Sequence, residues 1–232
     1  MTEDTFYGKM VDRNIGLIGL EQQKKLKESC VAIFGLGGLG GVAAELLARS
    51  GIGTLKISDI DVFEHSNLNR QIFAYASTLG QSKVDVTERF LKDINPELKI
   101  EKFGISTEES INQMLNGANV AILCIDKALP SIHVARACRE KDIPMVETIA
   151  IPFVNLRVYT KKTMTYEEFH ELPTAGKSME ELYALDEESV AKIRTQWLMT
   201  FYNIEGLAKF FDEEAIKRIK KAGLPLLVPW SG

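Results

Sequence analysis

Residues 31–40, VAIFGLGGLG, run from an apolar stretch straight into a cluster of glycines, and GVAAELLARS at 41–50 follows with helical character. A short apolar run that stops at glycine reads as a buried parallel strand. Gly35, Gly37 and Gly40 then fit G-x-G-x-x-G between that strand and a helix from about Gly38 to Arg49. Glycine suits the position because the turn is tight and a phosphate must approach the backbone closely, while the exposed N–H groups of a helix start attract anions. The small apolar side of the helix (Val42, Ala43, Leu46, Leu47) is expected to lie on the sheet. TLKISDID at 54–61 alternates into a second strand that ends at Asp59 and Asp61.

Working outward, LEQQKKLKES at 20–29 is a helix candidate upstream of the first strand. Downstream come a charged amphipathic helix at 81–94, a strand near 98–103, a helix near 107–116, the strand NVAILC at 119–124 and a helix at 129–141. PMVETIAI and VNLRVYT continue as strands, the second alternating and pairing antiparallel. This alternation predicts an α/β, Rossmann-like doubly wound fold: a mostly parallel sheet with helices on both faces. From about Lys161 the chain turns helix-rich and charged (MTYEEFHEL, SMEELYALDEESVAKIRTQWLMTFY, FDEEAIKRIKKAG) and closes on LPLLVPWSG. Residues 1–160 therefore read as a nucleotide-binding domain with an N-terminal helical arm, and 161–232 as a helical appendage.

The 232 residues carry a net charge of -4, with 45% hydrophobic and 26% charged residues, an ordinary globular composition. No basic run supplies the electrostatic footprint of a nucleic-acid binder, so nucleic acid is not an expected partner. No stretch reaches the roughly 18 to 20 apolar residues of a membrane span, and MTEDTFYGKMVDR lacks a secretory core, so a cytoplasmic protein is expected. Cys30, Cys124 and Cys138 have no CxxC spacing, which points to neither a disulfide framework nor a zinc ribbon. His65, His133 and His170 lack metal-ligand spacing as well.

Polar residues after the second strand decide between chemistries. Asp59 stands where an acidic side chain meets a ribose hydroxyl, a feature shared with NAD enzymes; a plain turn aspartate is the alternative. Ser66-Asn67-Leu68-Asn69-Arg70, then Gly80-Gln81-Ser82-Lys83, then Asn95-Pro96, follow in order. Arg70 suits forked phosphate contacts and Lys83 a point charge.

With the glycine turn and D-x-D, this series resembles the ThiF/MoeB/HesA family, the bacterial relatives of ubiquitin-activating enzymes, over about residues 10 to 160. The resemblance implies an ATP-dependent adenylyltransferase that activates an acceptor carboxylate as an acyl-adenylate with release of pyrophosphate. Its acceptors in that family are C-terminal glycines of small ubiquitin-like sulfur carriers, peptides and a modified tRNA base; a carrier or peptide is the expectation here.

By the same resemblance, Gly35, Gly37, Gly38, Gly40, Asp59, Asp61, Asn67, Asn69, Arg70, Lys83 and Lys127 would line the ATP site. Asp59 would take the ribose, Asn67, Arg70 and Lys83 the triphosphate, and Asp126 a phosphate-bound Mg²⁺. Arg13 resembles an N-terminal arginine contributed to a partner subunit's site, which implies a homodimer; Arg13, Arg70, Lys83 and Asp126 would be catalytic. Three departures from the family pattern stand out. Asp126 is followed by Lys127 where D-x-x-D-N is usual. No cysteine lies beyond Cys138 to form a thioester, and the return strands and paired CxxC are missing. The alternatives are a non-catalytic nucleotide-binding or scaffold subunit that needs a partner chain, and an NAD-dependent oxidoreductase, which leaves Asn67, Arg70 and Lys83 unexplained.

Overall fold

The computed structural model describes residues 5–104, 107–150 and 154–202. The expected FDEEAIKRIKKAG helix and the LPLLVPWSG stretch lie outside the described residues, as do Phe210 and Phe211. The chain divides after Cys124 into two compact units.

The first unit opens with α1 (Phe6–Met10) and α2 (Leu20–Glu28), then alternates through β1 (Cys30–Phe34), α3 (Gly38–Ser50), β2 (Thr54–Ser58), α4 (Lys83–Ile94), β3 (Lys99–Phe103), α5 (Glu108–Leu115) and β4 (Val120–Leu123). Its strands lie in the order β3-β2-β1-β4 and every pairing is parallel. Register places Ile33 beside Ile57 and Ile122, and Phe34 beside Ser58 and Leu123. Because side chains alternate across a strand, the odd-numbered set faces one layer and the even-numbered set the other. Val31, Ile33, Leu55 and Ile57 pack with Ala44 and Ala48 of α3 and with Val84 and Leu91 of α4 in one core cluster. On the opposite face Lys56, almost fully buried, donates its Nζ to the carbonyls of Gln113 at 3.0 Å and Asn116 at 2.8 Å. A cation thus satisfies orphan carbonyls at the C-terminal end of α5 and fixes that helix to the second face. Helices on both faces of a parallel sheet are the expected α/β, Rossmann-like architecture.

One expectation is corrected. The buried positions of α3 are Gly40, Gly41, Ala44 and Ala48, whereas Leu46 is 60% exposed and Leu47 only partly buried. Close approach explains the rotation: a Cβ on Gly40 would stand 1.8 Å from the Gly35 carbonyl oxygen, so the glycines face the sheet and the larger leucine turns away.

The second unit contains α6 (Ala128–Glu140), β5 (Met145–Ala150), β6 (Val154–Tyr159), α7 (Tyr166–Phe169), α8 (Met179–Tyr183) and α9 (Glu187–Tyr202). β5 and β6 pair antiparallel, as the alternation of VNLRVYT predicts. The SMEELYALDEESV stretch is not one helix: Ser178 caps α8, and a break after Tyr183 separates it from α9. Arg136 of α6 forks onto Glu167 of α7 at 2.6 and 2.8 Å and also donates to the Lys177 carbonyl at 2.6 Å. Burial alone would raise the Glu167 carboxyl, but hydrogen bonds from Arg136 and Thr174 hold it below the usual range. Beneath them lies a polar core. Tyr159 Oη donates to Glu147 at 3.0 Å, His170 Nε2 sits 3.4 Å from the same carboxylate, and Arg157 approaches it at 3.6 Å. Trp197 Nε1 donates to Tyr166 Oη at 2.6 Å, which ties α9 to α7.

Candidate functional site

The turn after β1 is fixed from both ends. Gly35 takes φ +92°, a left-handed conformation open to glycine, and its N–H donates to the Ser58 carbonyl at 2.9 Å. Leu36 N–H donates to Asp59 Oδ2 at 2.7 Å. The carboxylate that ends β2 therefore already anchors the glycine turn at the start of α3. Its other oxygen, Oδ1, accepts from Asp61 N–H at 2.9 Å.

Lys83 is the first residue of α4, behind an N-cap at Ser82. Its Nζ lies 3.2 Å from Asp61 Oδ2 and 4.0 Å from Asp59 Oδ1. The Lys83 side chain is 7% exposed and that of Asp59 9%, against 60% for Asp61. A solvated surface cation is thereby excluded: this ammonium is held at the end of the sheet between two carboxylates.

A 3₁₀ turn at His65–Asn67, capped by Glu64, leads through residues 68–70 to the glycines. Glu64 N–H donates to Asn67 Oδ1 at 3.0 Å, so the buried Asn67 amide closes its own turn. Arg70 Nη1 donates to the Ser66 carbonyl at 2.5 Å and to Asn69 Oδ1 at 3.1 Å. The backbone carbonyl of Arg70 stands 3.2 Å from where a Cβ on Gly38 would be. Gly35, Gly37, Gly38, Gly40, Asp59, Asp61, Asn67, Asn69, Arg70 and Lys83 are in this way brought together within the first unit.

Next to Arg70 stands a residue that the sequence reading passed over. Gln71 is 7% exposed, and its Nε2 lies 3.7 Å from where a Cβ on Gly37 would be. Its Oε1 is buried with no hydrogen-bond partner. The single signal available was a polar residue ahead of the apolar Ile72, Phe73 and Ala74.

Three expected residues remain: Arg13, Asp126 and Lys127. Arg13 sits in a short 3₁₀ turn with its side chain 99% exposed and Asp12 at 3.9 Å. Asp126 and Lys127 belong to the second unit, both exposed in the turn that leads into α6. Among the described residues, no group of three or more His, Cys, Asp or Glu is placed to hold a metal. Burial pushes the Cys138 thiol up to about 12, which makes it an inert packing group. His133 and His170 are both buried, as packed rather than ligating histidines. No helix among the described residues is long and apolar enough to cross a membrane.

Comparison with known proteins places this geometry in context. The pattern of the ThiF family matches residues 11–194. The tRNA threonylcarbamoyladenosine dehydratase of Bacillus subtilis is 40% identical over 139 residues, 59% of this chain and 55% of that protein. The sulfur carrier protein ThiS adenylyltransferase of Escherichia coli is 34% identical over 137 residues, again 59% of this chain and 55% of that protein. The chain thus spans about half the length of these relatives. Among solved structures, E. coli tRNA N6-threonylcarbamoyladenosine dehydratase in complex with AMP has a TM-score of 0.63 at 22% identity, covering 89% of this chain and 79% of that one. At that identity the likeness speaks for the fold.

Proposed function

Because the chain belongs to the ThiF family, we propose that its first unit binds ATP and transfers the adenylyl group to an acceptor carboxylate. The carrying observation is the meeting of Lys83, Asp59 and the glycine turn: a buried ammonium 4.0 Å from the carboxylate that also accepts the Leu36 N–H. The names of the relatives, an adenylyltransferase and a dehydratase, fit carboxylate activation in both cases.

The chemistry assigns each group a task. An oxygen of the acceptor carboxylate attacks the α-phosphorus of ATP, the bond to the bridging oxygen breaks, and acyl-adenylate and pyrophosphate leave. Charge develops on the bridging and equatorial oxygens, where Lys83 and the Arg70 guanidinium stabilise it. The N–H groups at the start of α3 receive phosphate oxygens, and Asp59 accepts from a ribose hydroxyl. Asp126, an exposed carboxylate before α6, fits a magnesium ion carried on the phosphates, since Mg²⁺ takes one or two protein oxygens and keeps waters. Bound there, it would offset phosphate charge. Arg13, with its side chain exposed to solvent, fits a contribution to a second copy's site in a homodimer.

Two acceptors follow from the two relatives. A ubiquitin-like carrier with a C-terminal glycine is the first; a tRNA carrying a threonylcarbamoyl carboxylate is the second, favoured by the 40% identity to the B. subtilis protein. Exchange of labelled pyrophosphate into ATP, run with each acceptor, separates them. Exchange that depends on one acceptor and disappears in Lys83→Ala supports the proposal and names the acceptor class. ATP binding without exchange under either acceptor assigns instead a non-catalytic nucleotide-binding subunit.

A further inference from the structure

Asp61 grips Lys83 twice. Its carbonyl accepts the Lys83 N–H at 3.0 Å, and its Oδ2 accepts from the Lys83 ammonium at 3.2 Å. The pairing continues beyond it, through an antiparallel bridge between Val62 and Ser82 and a bond from Phe63 N–H to the Gln81 carbonyl at 3.0 Å. Backbone bonds thus set the start of α4 beside the loop that leaves β2, and the Asp61 carboxylate is left to place the ammonium at the far end of the Lys83 side chain. A further bond runs to Asp59, whose Oδ1 accepts the Asp61 N–H at 2.9 Å. One residue therefore touches both the cation and the enclosed carboxylate of this cluster.

Burial makes the placement matter. Asp59 is almost enclosed, whereas Asp61 faces solvent with most of its side chain. An ammonium between two carboxylates of unequal exposure is drawn more strongly to the buried one, where its attraction is screened least. Lys83 nevertheless stands 4.0 Å from Asp59 Oδ1 and 3.2 Å from Asp61 Oδ2. Each carboxylate oxygen accepts about two hydrogen bonds. On Asp59, Oδ1 spends one on Asp61 N–H and Oδ2 one on Leu36 N–H, so each oxygen keeps one position for an incoming hydroxyl. A lysine closed onto Asp59 would take the position on Oδ1.

We propose that Asp61 is a positioning residue for ribose recognition: its carboxylate holds the Lys83 ammonium off Asp59 and so keeps Asp59 open to a ribose hydroxyl. The assignment rests on the nucleotide reading given above and gives Asp61 a task other than contact with the nucleotide. Asp61 acts through its neighbours, as the counter-ion that divides the enclosed pair into a cation for phosphate and an acceptor for sugar. It also explains why a second, solvent-facing carboxylate stands two residues after Asp59, at a cluster that is to receive an anion.

The test is calorimetric titration with Mg-ATP and with its 2′-deoxy and 3′-deoxy analogues, beside thermal unfolding, on wild type, Asp61→Ala and Asp61→Glu. Wild type should prefer ATP over the weaker-binding analogue by roughly tenfold or more, the worth of a hydrogen bond to a carboxylate. Asp61→Ala removes a mostly exposed side chain and keeps both backbone bonds, so it should melt near wild type while its preference for ATP falls to within about twofold. Asp61→Glu, which returns a carboxylate within reach of the ammonium, should restore most of the preference. An Asp61→Ala protein that keeps the wild-type preference, whatever its affinity for ATP, overturns the assignment and leaves the nucleotide site standing. A loss of preference that Asp61→Glu does not restore, or that comes with a lowered melting temperature, makes Asp61 a structural residue and overturns it too. Wild type that binds ATP and both analogues alike removes the ribose from Asp59 and this assignment with it, whereas wild type that binds no ATP removes the nucleotide reading itself.

Discussion

Adding one methyl group at Gly40 would bring carbon to 1.8 Å from the Gly35 carbonyl oxygen, whereas the same change at Gly37 meets nothing closer than 3.7 Å. The two glycines of one motif therefore answer to different demands. Gly40→Ala is expected to destabilise the protein by about 3 kcal/mol or more, since backbone rather than a yielding side chain stands in the way. Gly37→Ala is expected to fold with a melting temperature near that of wild type and to lose nucleotide affinity, because its methyl occupies the space above the turn. Thermal unfolding beside ligand titration separates the two. Lys83 carries a related expectation. Lys83→Met leaves the buried Asp59 carboxylate without its ammonium and should cost about 1–3 kcal/mol, moderated by the exposure of Asp61. Adding Asp59→Asn should recover neither stability nor binding, because its amide nitrogen would face one of the two backbone N–H groups that the carboxylate accepts, as denaturant melts with calorimetry would report. Charge and glycine spacing were legible in the sequence because the residue types themselves carry the chemistry. The state of Gln71 and the Asn67 amide was not, since burial and pairing depend on which neighbours the fold supplies.

At the level of elements, the periodicity was legible and the rotation of a helix about its axis was not. The strands and helices of the first unit fall where alternation and apolar runs put them, yet α3 turns Gly40, Gly41, Ala44 and Ala48 inward. Small residues leave hydrophobicity patterns undecided, so close packing chooses the face. Lys56 hides in the same way: alternation gives it a face of β2, and only the α5 carbonyls explain an ammonium there. In the second unit the Arg136–Glu167 fork ties α6 to α7. The Glu167 carboxyl is held below its ordinary value, so its stabilisation is present above the unfolded-state value of about 4.3 and is lost as pH falls through the lower folded value. Wild type should therefore melt above Glu167→Gln at pH 7, and the gap should close on acidification below about pH 4. Glu147 tests the polar core under β5 and β6. Glu147→Ala strands Arg157, His170 and Tyr159 at once and should cost about 3–5 kcal/mol in urea unfolding.

For the whole molecule, the sequence reached the fold class through order alone: a strand, a glycine turn, a helix and a second strand ending in aspartate leave few topologies open. It reached the family because several motifs recur together in a fixed sequence. The acceptor was out of reach, for the physical reason that recognition of a carrier or a tRNA depends on surface shape and charge placement, which net composition averages away. A net charge of -4 argued against nucleic acid, yet the relative with 40% identity is named for a tRNA nucleoside. Local patches, not totals, decide such encounters.

The bond from Leu36 N–H to Asp59 has a practical consequence. An amide proton 2.7 Å from a carboxylate oxygen, donor to acceptor, is strongly deshielded, and its resonance is expected at the low-field edge of the amide spectrum. A ribose hydroxyl that turns to Asp59 draws electron density from that oxygen, so the Leu36 signal should move upfield as nucleotide is added. Nuclear magnetic resonance titration on this one backbone proton would then read occupancy directly, with no label attached to the ligand and no need to know the acceptor.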